Sequence, residues 1–154
     1  MLGTAEGSGN YAAFLPEVAA SFGDKPAVIA ADRTLTYADL ERETTRLAAT
    51  LAAGGIRPGD RVGLMLGNAA RFPLAFFAVL KAGAAAVPLD VTFKAREAAG
   101  LLDQLEAAAL IVEAASAREG AAAAAHCRAA CRLLSLGLAG QAVRGEPTLV
   151  QALA

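Results

Sequence analysis

Cysteine and histidine are scarce in this sequence, which has two cysteines, Cys127 and Cys131, and one histidine, His126. A structural zinc site takes four ligands, and no fourth ligand accompanies these three. Neighbouring helical positions diverge, which also argues against His126 and Cys127 as a catalytic pair. The two cysteines are four residues apart, so we predict that they share one face of a helix as buried or half-buried structural residues.

A dominant charge is missing as well. The 14 basic and 15 acidic residues give a formal net charge of -1, which offers no electrostatic footprint for nucleic acid or for an anionic membrane. The longest apolar stretch, residues 72–91, is interrupted by Lys81, Pro88 and Asp90, so we expect no membrane span. The first ten residues have neither the basic nor the apolar part of a secretory signal. Together with the two nearby thiols, this predicts a cytoplasmic protein.

A phosphate-binding loop is also lacking. Such a loop needs glycine together with Lys and Ser or Thr, because backbone and hydroxyl donors must hold the phosphates. "GLMLGN" at 63–68 and "SLGLAG" at 135–140 contain glycine, but neither has the Lys and the hydroxyl residues of a P-loop. The lack of a glycine fingerprint after the strands weakens the reading of an unrelated small α/β nucleotide-binding domain, which stays open as an alternative.

The order of apolar runs and turn signals predicts the fold class. Hydrophobic residues make up 56% of the 154 residues, which suits one folded domain. A hairpin comes first, and strands and helices then alternate, so we predict an α/β fold with a mostly parallel sheet and flanking helices. The predicted strands are 27–30, 34–37, 61–66, 85–89, 109–112 and 133–136. The predicted helices are 11–22, 36–55, 68–82, 94–107 and 117–132, with Asn68 as the cap of the third.

Three short motifs follow one another along the chain: "LTYADL" at 35–40, "RPGDRVGLML" at 57–66 and "LKAGAAAVPLD" at 80–90. Each has structural causes. In the first, Thr36 is predicted to cap a helix with Asp39 as the acid of the capping box. In the second, Pro58 and Gly59 suit the centre of a type II turn. The third places Lys81 and Gly83 at a helix end and Pro88 at a strand end.

The series of motifs resembles the start of the adenylate-forming superfamily, which includes acyl-CoA synthetases, luciferase-like ligases and the adenylation domains of peptide synthetases. The resemblance covers about residues 12 to 115. The first family motif is matched by Leu35, Thr36, Tyr37 and Leu40, with Asp39 in place of Glu. The second is matched by Leu80, Lys81, Ala82, Gly83, Val87, Pro88, Leu89 and Asp90. In the family these motifs are mainly structural, and none of them is the active site.

The resemblance implies ATP-dependent activation of a carboxylic acid to an acyl-adenylate, followed by acyl-CoA synthesis. It also implies three segments. Residues 1–10 would form a flexible tail, 11–136 a partial N-terminal α/β subdomain, and 137–154 a variable loop leading towards the phosphate loop. ATP, Mg²⁺ and CoA are implied for the full-length enzyme, and none is expected for this chain alone. No catalytic, cofactor-binding or metal residue is assigned, because the phosphate loop and the catalytic lysine would come later. We expect the chain to be inactive alone.

Other interpretations stay open. "VPLD" also suits the adenylation domains of peptide synthetases, and a truncated paralogue could act as a binding or interaction module without catalysis. The expected partners are the acid substrate and the rest of the same enzyme, and the isolated chain is expected to self-associate through its uncovered surface. Phe72, Phe76 and Phe77 could line an acyl pocket, but their helical spacing favours core packing.

Overall fold

A computed structural model describes residues 9–67 and 69–136 of the chain. The strands are β1 (Pro26–Ile29), β2 (Thr34–Thr36), β3 (Arg61–Met65), β4 (Ala85–Pro88), β5 (Ala109–Val112) and β6 (Arg132–Ser135). The helices are α1 (Leu15–Phe22), α2 (Tyr37–Ala53), α3 (Arg71–Lys81), α4 (Ala95–Gln104) and α5 (Ala117–His126), and a 3-10 turn, Tyr11–Phe14, precedes α1. The cap predicted at Asn68 lies outside the described residues, as do the predicted tail up to residue 8 and the loop 137–154.

The main sheet has four parallel strands in the order β4-β3-β5-β6, so the predicted parallel α/β architecture is confirmed. The chain moves from β3 to one neighbour, β4, and then crosses to the other side of β3 to form β5 and β6. The direction of winding therefore changes between β3 and β5. In open α/β sheets this position, at the carboxyl ends of the strands, is where ligands usually bind.

Helices cover both faces of this sheet. Alternate side chains of β3 divide between the faces: Val62 and Leu64 pack towards α2 and α3, while Met65 packs towards α4 and α5. The two central strands are buried on both faces, which explains why their sequences show no clean alternation of polar and apolar residues. Within the described residues, no helix is both long enough and apolar enough to cross a bilayer.

The hairpin and the start of α2 follow the local signals in the sequence. β1 and β2 pair antiparallel, as predicted. Thr36 Oγ1 accepts the N–H of Asp39 at 3.1 Å, and Asp39 Oδ2 accepts the N–H of Thr36 at 3.1 Å, which confirms the capping box. Hydrogen bonds from Arg42 and from Thr36 hold the pKa of Asp39 at about 2, below its ordinary value. The cap therefore stays ionised at neutral pH.

The hairpin is fixed to the rest of the molecule at its tip. Asp32 Oδ1 accepts the N–H of Ala70 at 3.3 Å, so a side chain from the hairpin contacts the residue that precedes α3. Arg33 forms an ion pair with Glu43 of α2 at 2.5 Å. These contacts connect segments ten to about forty residues apart and place the hairpin beside the loop after β3.

Candidate functional site

The position that fold geometry marks for a ligand is the crevice at the carboxyl ends of β3 and β5. The loop after β3 begins at Leu66 and Gly67, and the loop after β5 runs from Glu113 to Ser116. Ser116 Oγ donates to the carbonyl oxygen of Met65 at 2.5 Å and thereby joins the two loops. This crevice is the natural place to test for phosphate binding.

Side chains of the protein itself contact each other at this crevice. The carboxylate of Glu113 accepts the N–H of Gly67 at 2.6 Å and pairs with the guanidinium of Arg71 at 3.1 Å. Both side chains are largely buried, with 13% of Glu113 and 23% of Arg71 exposed. A free backbone N–H is what an anionic ligand would use, and here a carboxylate already occupies the N–H of Gly67. We call Gly67, Arg71 and Glu113 the crevice network.

The crevice network does not fit a nucleoside triphosphate. The carboxylate of Glu113 would repel phosphate, and it neutralises Arg71, the cation that could otherwise attract it. The lysines of the chain are Lys25, Lys81 and Lys94. Lys25 lies 4.7 Å from the ring centroid of Phe22, and Lys94 precedes α4 beside the edge strand β4. At this crevice, the described residues therefore place a carboxylate where a phosphate would need a free donor.

Lys81, from the third motif, links two helices. Its Nζ contacts Glu41 Oε2 at 2.6 Å and Thr45 Oγ1 at 2.7 Å, and only 13% of the side chain is exposed. It lies at the C-terminal end of α3, as predicted, but it also ties that end to α2. A solvent-open groove of about 420 Å³ lies beside this ion pair, lined by Asn10, Ala12, Ala13, Pro16, Glu41, Thr45, Ala48 and Lys81. The charges of Lys81 and Glu41 neutralise each other along its wall.

The second and third motifs dock against each other. Gly59 has φ +87°, and Asp60 N–H donates to the carbonyl of Arg57 at 3.1 Å, which fits the predicted type II turn. The N–H of Gly59 donates to the carbonyl of Gly83 at 2.9 Å. Pro58 then lies directly against Gly83, where a Cβ would come within 3.1 Å of the proline Cβ. Gly83 has φ +76° and ends α3, as predicted.

We call the "RPGD" turn and Gly83 the docked pair. The docked pair lies at the amino ends of β3 and β4, because its two parts immediately precede these strands. The crevice lies at the opposite edge of the sheet. Pro88 closes the edge strand β4, where its lack of an N–H is tolerated, as predicted. The docked turn and helix end therefore lie at the amino edge of the sheet, while the same two motifs run on to its carboxyl edge at Leu66 and Asp90.

The prediction of one helix over 117–132 is wrong. α5 ends at His126, because Cys127 has extended backbone angles of φ −63° and ψ 140°. Arg128 N–H then donates to Asp103 Oδ1 at 2.8 Å, which draws the chain towards α4. Cys127 and Cys131 consequently share no helix face, although both are half-buried as expected. In the described ranges, no three His, Cys, Asp or Glu side chains come together as a metal site.

The phenylalanines of α3 pack as core residues. Phe72 and Phe76 lie against the cluster between α2, α3 and the sheet, and Phe77 lies against the cluster under the hairpin. The rings of Phe72 and Phe76 stack at 6.1 Å between centroids, and Phe77 meets Phe76 edge to face at 5.6 Å. The interpretation as core packing is confirmed.

The crevice network was not anticipated from the sequence. Arg71 and Glu113 are 42 residues apart, and Gly67 and Glu113 are 46 apart. One signal was available: Glu113 directly follows "ALIV", and a polar residue just after a buried strand lies at the carboxyl edge of a parallel sheet. Its partners could be found only once the strand order was known.

Comparisons with known proteins agree with this architecture. The sequence model described as AMP-binding enzyme matches residues 15–147. The AMB antimetabolite synthetase AmbB of Pseudomonas aeruginosa is 42% identical over 97 residues, which are 63% of this chain and 8% of the synthetase. The medium/long-chain-fatty-acid–CoA ligase FadD6 of Mycobacterium tuberculosis is 41% identical over 95 residues, 62% of this chain and 16% of the ligase.

A solved structure shows the same fold. The anthranilate CoA ligase AuaEII, in complex with anthranoyl-AMP, superposes with a TM-score of 0.83 at 23% identity, covering 94% of this chain and 27% of that ligase. This chain thus spans only a small part of the length of the relatives that it matches. Because the sequence model of the family matches well over half of its residues, the chain belongs to the AMP-binding enzyme family.

Proposed function

We propose that this chain forms the N-terminal portion of an ATP-dependent carboxylate-activating ligase and serves there as a scaffold. The docking of the "RPGD" turn on Gly83 supports this most directly. Two motifs that carry the family resemblance contact each other through the Gly59–Gly83 hydrogen bond of 2.9 Å and the packing of Pro58. Their function in this proposal is to set β3 beside β4 and to fix the sheet on which the rest of the enzyme builds.

The chemistry of the proposed full-length enzyme is attack of a carboxylate on the α-phosphate of ATP, which gives an acyl-adenylate and pyrophosphate. ATP supplies the activated phosphorus and Mg²⁺ the charge neutralisation of the triphosphate. In this proposal the residues of this chain hold neither group. In this proposal they position strands and helices, and a phosphate loop, acidic residues and a lysine from outside the matched motifs perform the transfer.

For the acyl acceptor we propose CoA. The segment "PLD", the "KARE" helix and "ALIV" follow the pattern of fatty-acid ligases, and the identity of 41% to the mycobacterial fatty-acid–CoA ligase supports this. The phosphinothricin tripeptide synthetase PhsC of Streptomyces viridochromogenes matches equally well, at 42% over 90 residues, so the acceptor has to be measured. Self-association of the isolated chain, through surface that the rest of the enzyme would cover, stays a prediction.

A chimaeric enzyme tests the proposal. Residues 15–136 of this chain replace the matching segment of the mycobacterial ligase, and carboxylate-dependent ATP–pyrophosphate exchange is measured with fatty, aromatic and amino acids. Because the exchanged segment supplies scaffold rather than catalytic groups, we expect exchange within about tenfold of the parent, equivalent to about 1.4 kcal/mol of activation free energy. Adding CoA to the active chimaera then reveals acyl-CoA formation.

Two controls make the result interpretable. The unaltered parent ligase sets the reference rate and the reference thermal transition. A chimaera that also carries Gly83→Val should lose folded protein, because it disrupts the docked motifs. A chimaera that unfolds at the parent's temperature and yet shows no exchange with any acid would contradict the scaffold proposal.

A further inference from the structure

The helix α3 lies entirely within the described residues, and it lacks a polar face. Its charged residues lie only at its two ends, Arg71 and Lys81, and the residues between them, "FPLAFFAVL" at 72–80, carry no polar side chain. Its neighbours differ, since α2 exposes Arg42 and α4 exposes Arg96. A helix on the surface of a globular protein normally turns charged or polar residues to water, whereas a helix that is apolar on all sides is buried.

One side of α3 is nevertheless open. Of the residues 72–80, four are buried and five are partly exposed. The five exposed side chains recur at the spacing of a helical turn, so they form one continuous stripe along the outer side of the helix. We call this surface the outer stripe, and it consists of Phe72, Pro73, Phe76, Phe77 and Leu80.

The outer stripe continues onto the 3-10 turn that precedes α1. The ring of Phe77 stacks on Tyr11 at 6.5 Å between centroids and meets Phe14 edge to face at 5.9 Å. Tyr11 is 70% exposed, and Phe14 is partly exposed. Together with the contacts of Phe76 to Phe72 and Phe77, these contacts join five rings into one aromatic surface. Aromatic side chains of this kind are enriched at protein interfaces, because each buries a large apolar area.

A lipid bilayer fits the outer stripe poorly. A membrane-spanning helix needs about 20 residues, and α3 has 11. A helix that lies on a membrane carries Lys and Arg along a polar face, but the two cations of α3 are held by carboxylates. Arg71 pairs with Glu113 at 3.1 Å, and Lys81 pairs with Glu41 at 2.6 Å. A neutral stripe of rings between two neutralised ends suits an apolar protein surface better.

We propose that the outer stripe is the docking surface for an apolar face of the remaining part of the same ligase. This inference rests on the proposed function, in which the chain is the N-terminal portion of a longer enzyme. The segment that superposes on this chain is 27% of the anthranilate CoA ligase, so most of that relative's length lies outside it and is available to cover the helix. Docking would remove the partly exposed rings from water, which stabilises the assembled enzyme in proportion to the apolar area buried.

Alkylation of introduced cysteines tests this docking. Phe76→Cys and Leu80→Cys each place a thiol on the outer stripe. Ile29→Cys is the matched control on the hairpin, where Ile29 is 79% exposed. Each variant is made both in the isolated chain, diluted until it is monomeric, and in the chimaera described above. Labelling by a maleimide is followed by peptide mass spectrometry, which distinguishes the introduced thiol from Cys127 and Cys131.

Both positions on the outer stripe should react at least about tenfold more slowly in the chimaera than in the isolated chain, because the reagent then has to wait for a local opening. The Ile29→Cys thiol should react at rates within about twofold of each other in the two proteins, since nothing is proposed to cover it. Circular dichroism and the thermal transition show which variants are folded. Two positions are used so that loss of folding in one variant leaves the other to decide the question.

Equal labelling of the outer stripe in the isolated chain and in a folded chimaera would overturn the proposal. Protection that is already complete in the dilute isolated chain would overturn it too, because the chain would then cover its own stripe. Protection of the chimaera only after phosphatidylcholine vesicles are added would assign the stripe to a membrane. Protection only in the concentrated isolated chain would assign it to a second copy, and either result contradicts docking.

The labelling result and the proposed function can fail separately. Labelling measures burial rather than catalysis, so a folded chimaera without ATP–pyrophosphate exchange would contradict the scaffold proposal while the labelling rates still decide the docking. An active chimaera whose Phe76→Cys and Leu80→Cys variants react as fast as the isolated chain would contradict the docking alone.

Discussion

Gly83→Val should destabilise the protein by about 3 kcal/mol, because it combines backbone strain with a steric clash. Gly83 has φ +76°, a conformation that a β-branched residue avoids. An added Cβ would lie 3.1 to 3.3 Å from three atoms of Pro58, whose ring cannot move aside as a flexible side chain would. The N–H of Gly59 would also lose its alignment with the carbonyl of Gly83. Urea unfolding followed by circular dichroism measures the loss.

Gly59→Ala is the matched control, since it lies in the same docked pair. Gly59 has φ +87°, but nothing lies within 4 Å of an added Cβ. Gly59→Ala should therefore lower the free energy of unfolding by only about 1 kcal/mol, which is the strain of an alanine in a left-handed conformation. Equal losses in the two variants would show that the contact between Pro58 and Gly83 contributes nothing, and the argument from the docked motifs would fail.

Gly120→Ala should destabilise the protein by about 2 kcal/mol, although alanine is the better helix former. Gly120 lies in α5, where that helix crosses β5 closely, and an added Cβ would lie 2.4 Å from Val112 Cγ1. Real side chains do not approach so closely, so the helix or the strand would have to shift within a packed interior. This cost exceeds the gain of about 1 kcal/mol in helix propensity. The free energy of unfolding in urea reports the difference.

Gly100→Ala provides the same substitution in the neighbouring helix α4. Nothing lies within 4 Å of an added Cβ at Gly100, so this variant should be more stable by up to about 1 kcal/mol. Val112→Ala removes the clashing methyl, and the Gly120→Ala substitution should cost less in that background. If Gly120→Ala also stabilised the protein, that result would contradict the close approach of α5 to the sheet.

Local signals predicted most of the elements, because their causes lie within a few residues. The capping box of Thr36 and Asp39 spans four residues. The strand "ALIV" is β5 with the predicted bounds, since an apolar run between turns is typical of a buried strand. The stop at Gly83 follows from its own backbone angle.

The end of α5 could not be predicted in this way. The alanine run favours helix throughout, and local propensity gives no reason to stop at His126. The helix ends where Arg128 reaches Asp103, a partner 25 residues away on another helix. A tertiary hydrogen bond of this kind outweighs the small per-residue preference of alanine and arginine for helix, and only the packing of α5 against α4 reveals it.

The contacts of the crevice network and of Lys81 could not be predicted from the sequence, for the same reason. The sequence places Lys81 only at the end of its own helix, whereas its Nζ also contacts Glu41, 40 residues earlier on α2. Glu113 meets Gly67 and Arg71 only because β5 lies beside β3. Strand order is a property of the whole sheet, so a pattern of apolar residues predicts the strands without predicting their neighbours.

ATP–pyrophosphate exchange by this chain alone tests the central claim most directly. The claim is that these residues build the scaffold of an adenylate-forming enzyme and do not themselves bind the triphosphate, since the Glu113 carboxylate occupies the Gly67 N–H and pairs with Arg71 where phosphate could lie. With ATP, Mg²⁺ and fatty, aromatic or amino acids, the account predicts no carboxylate-dependent exchange above the rate without protein. Clear exchange that depends on one of these acids, from the purified chain, would contradict it.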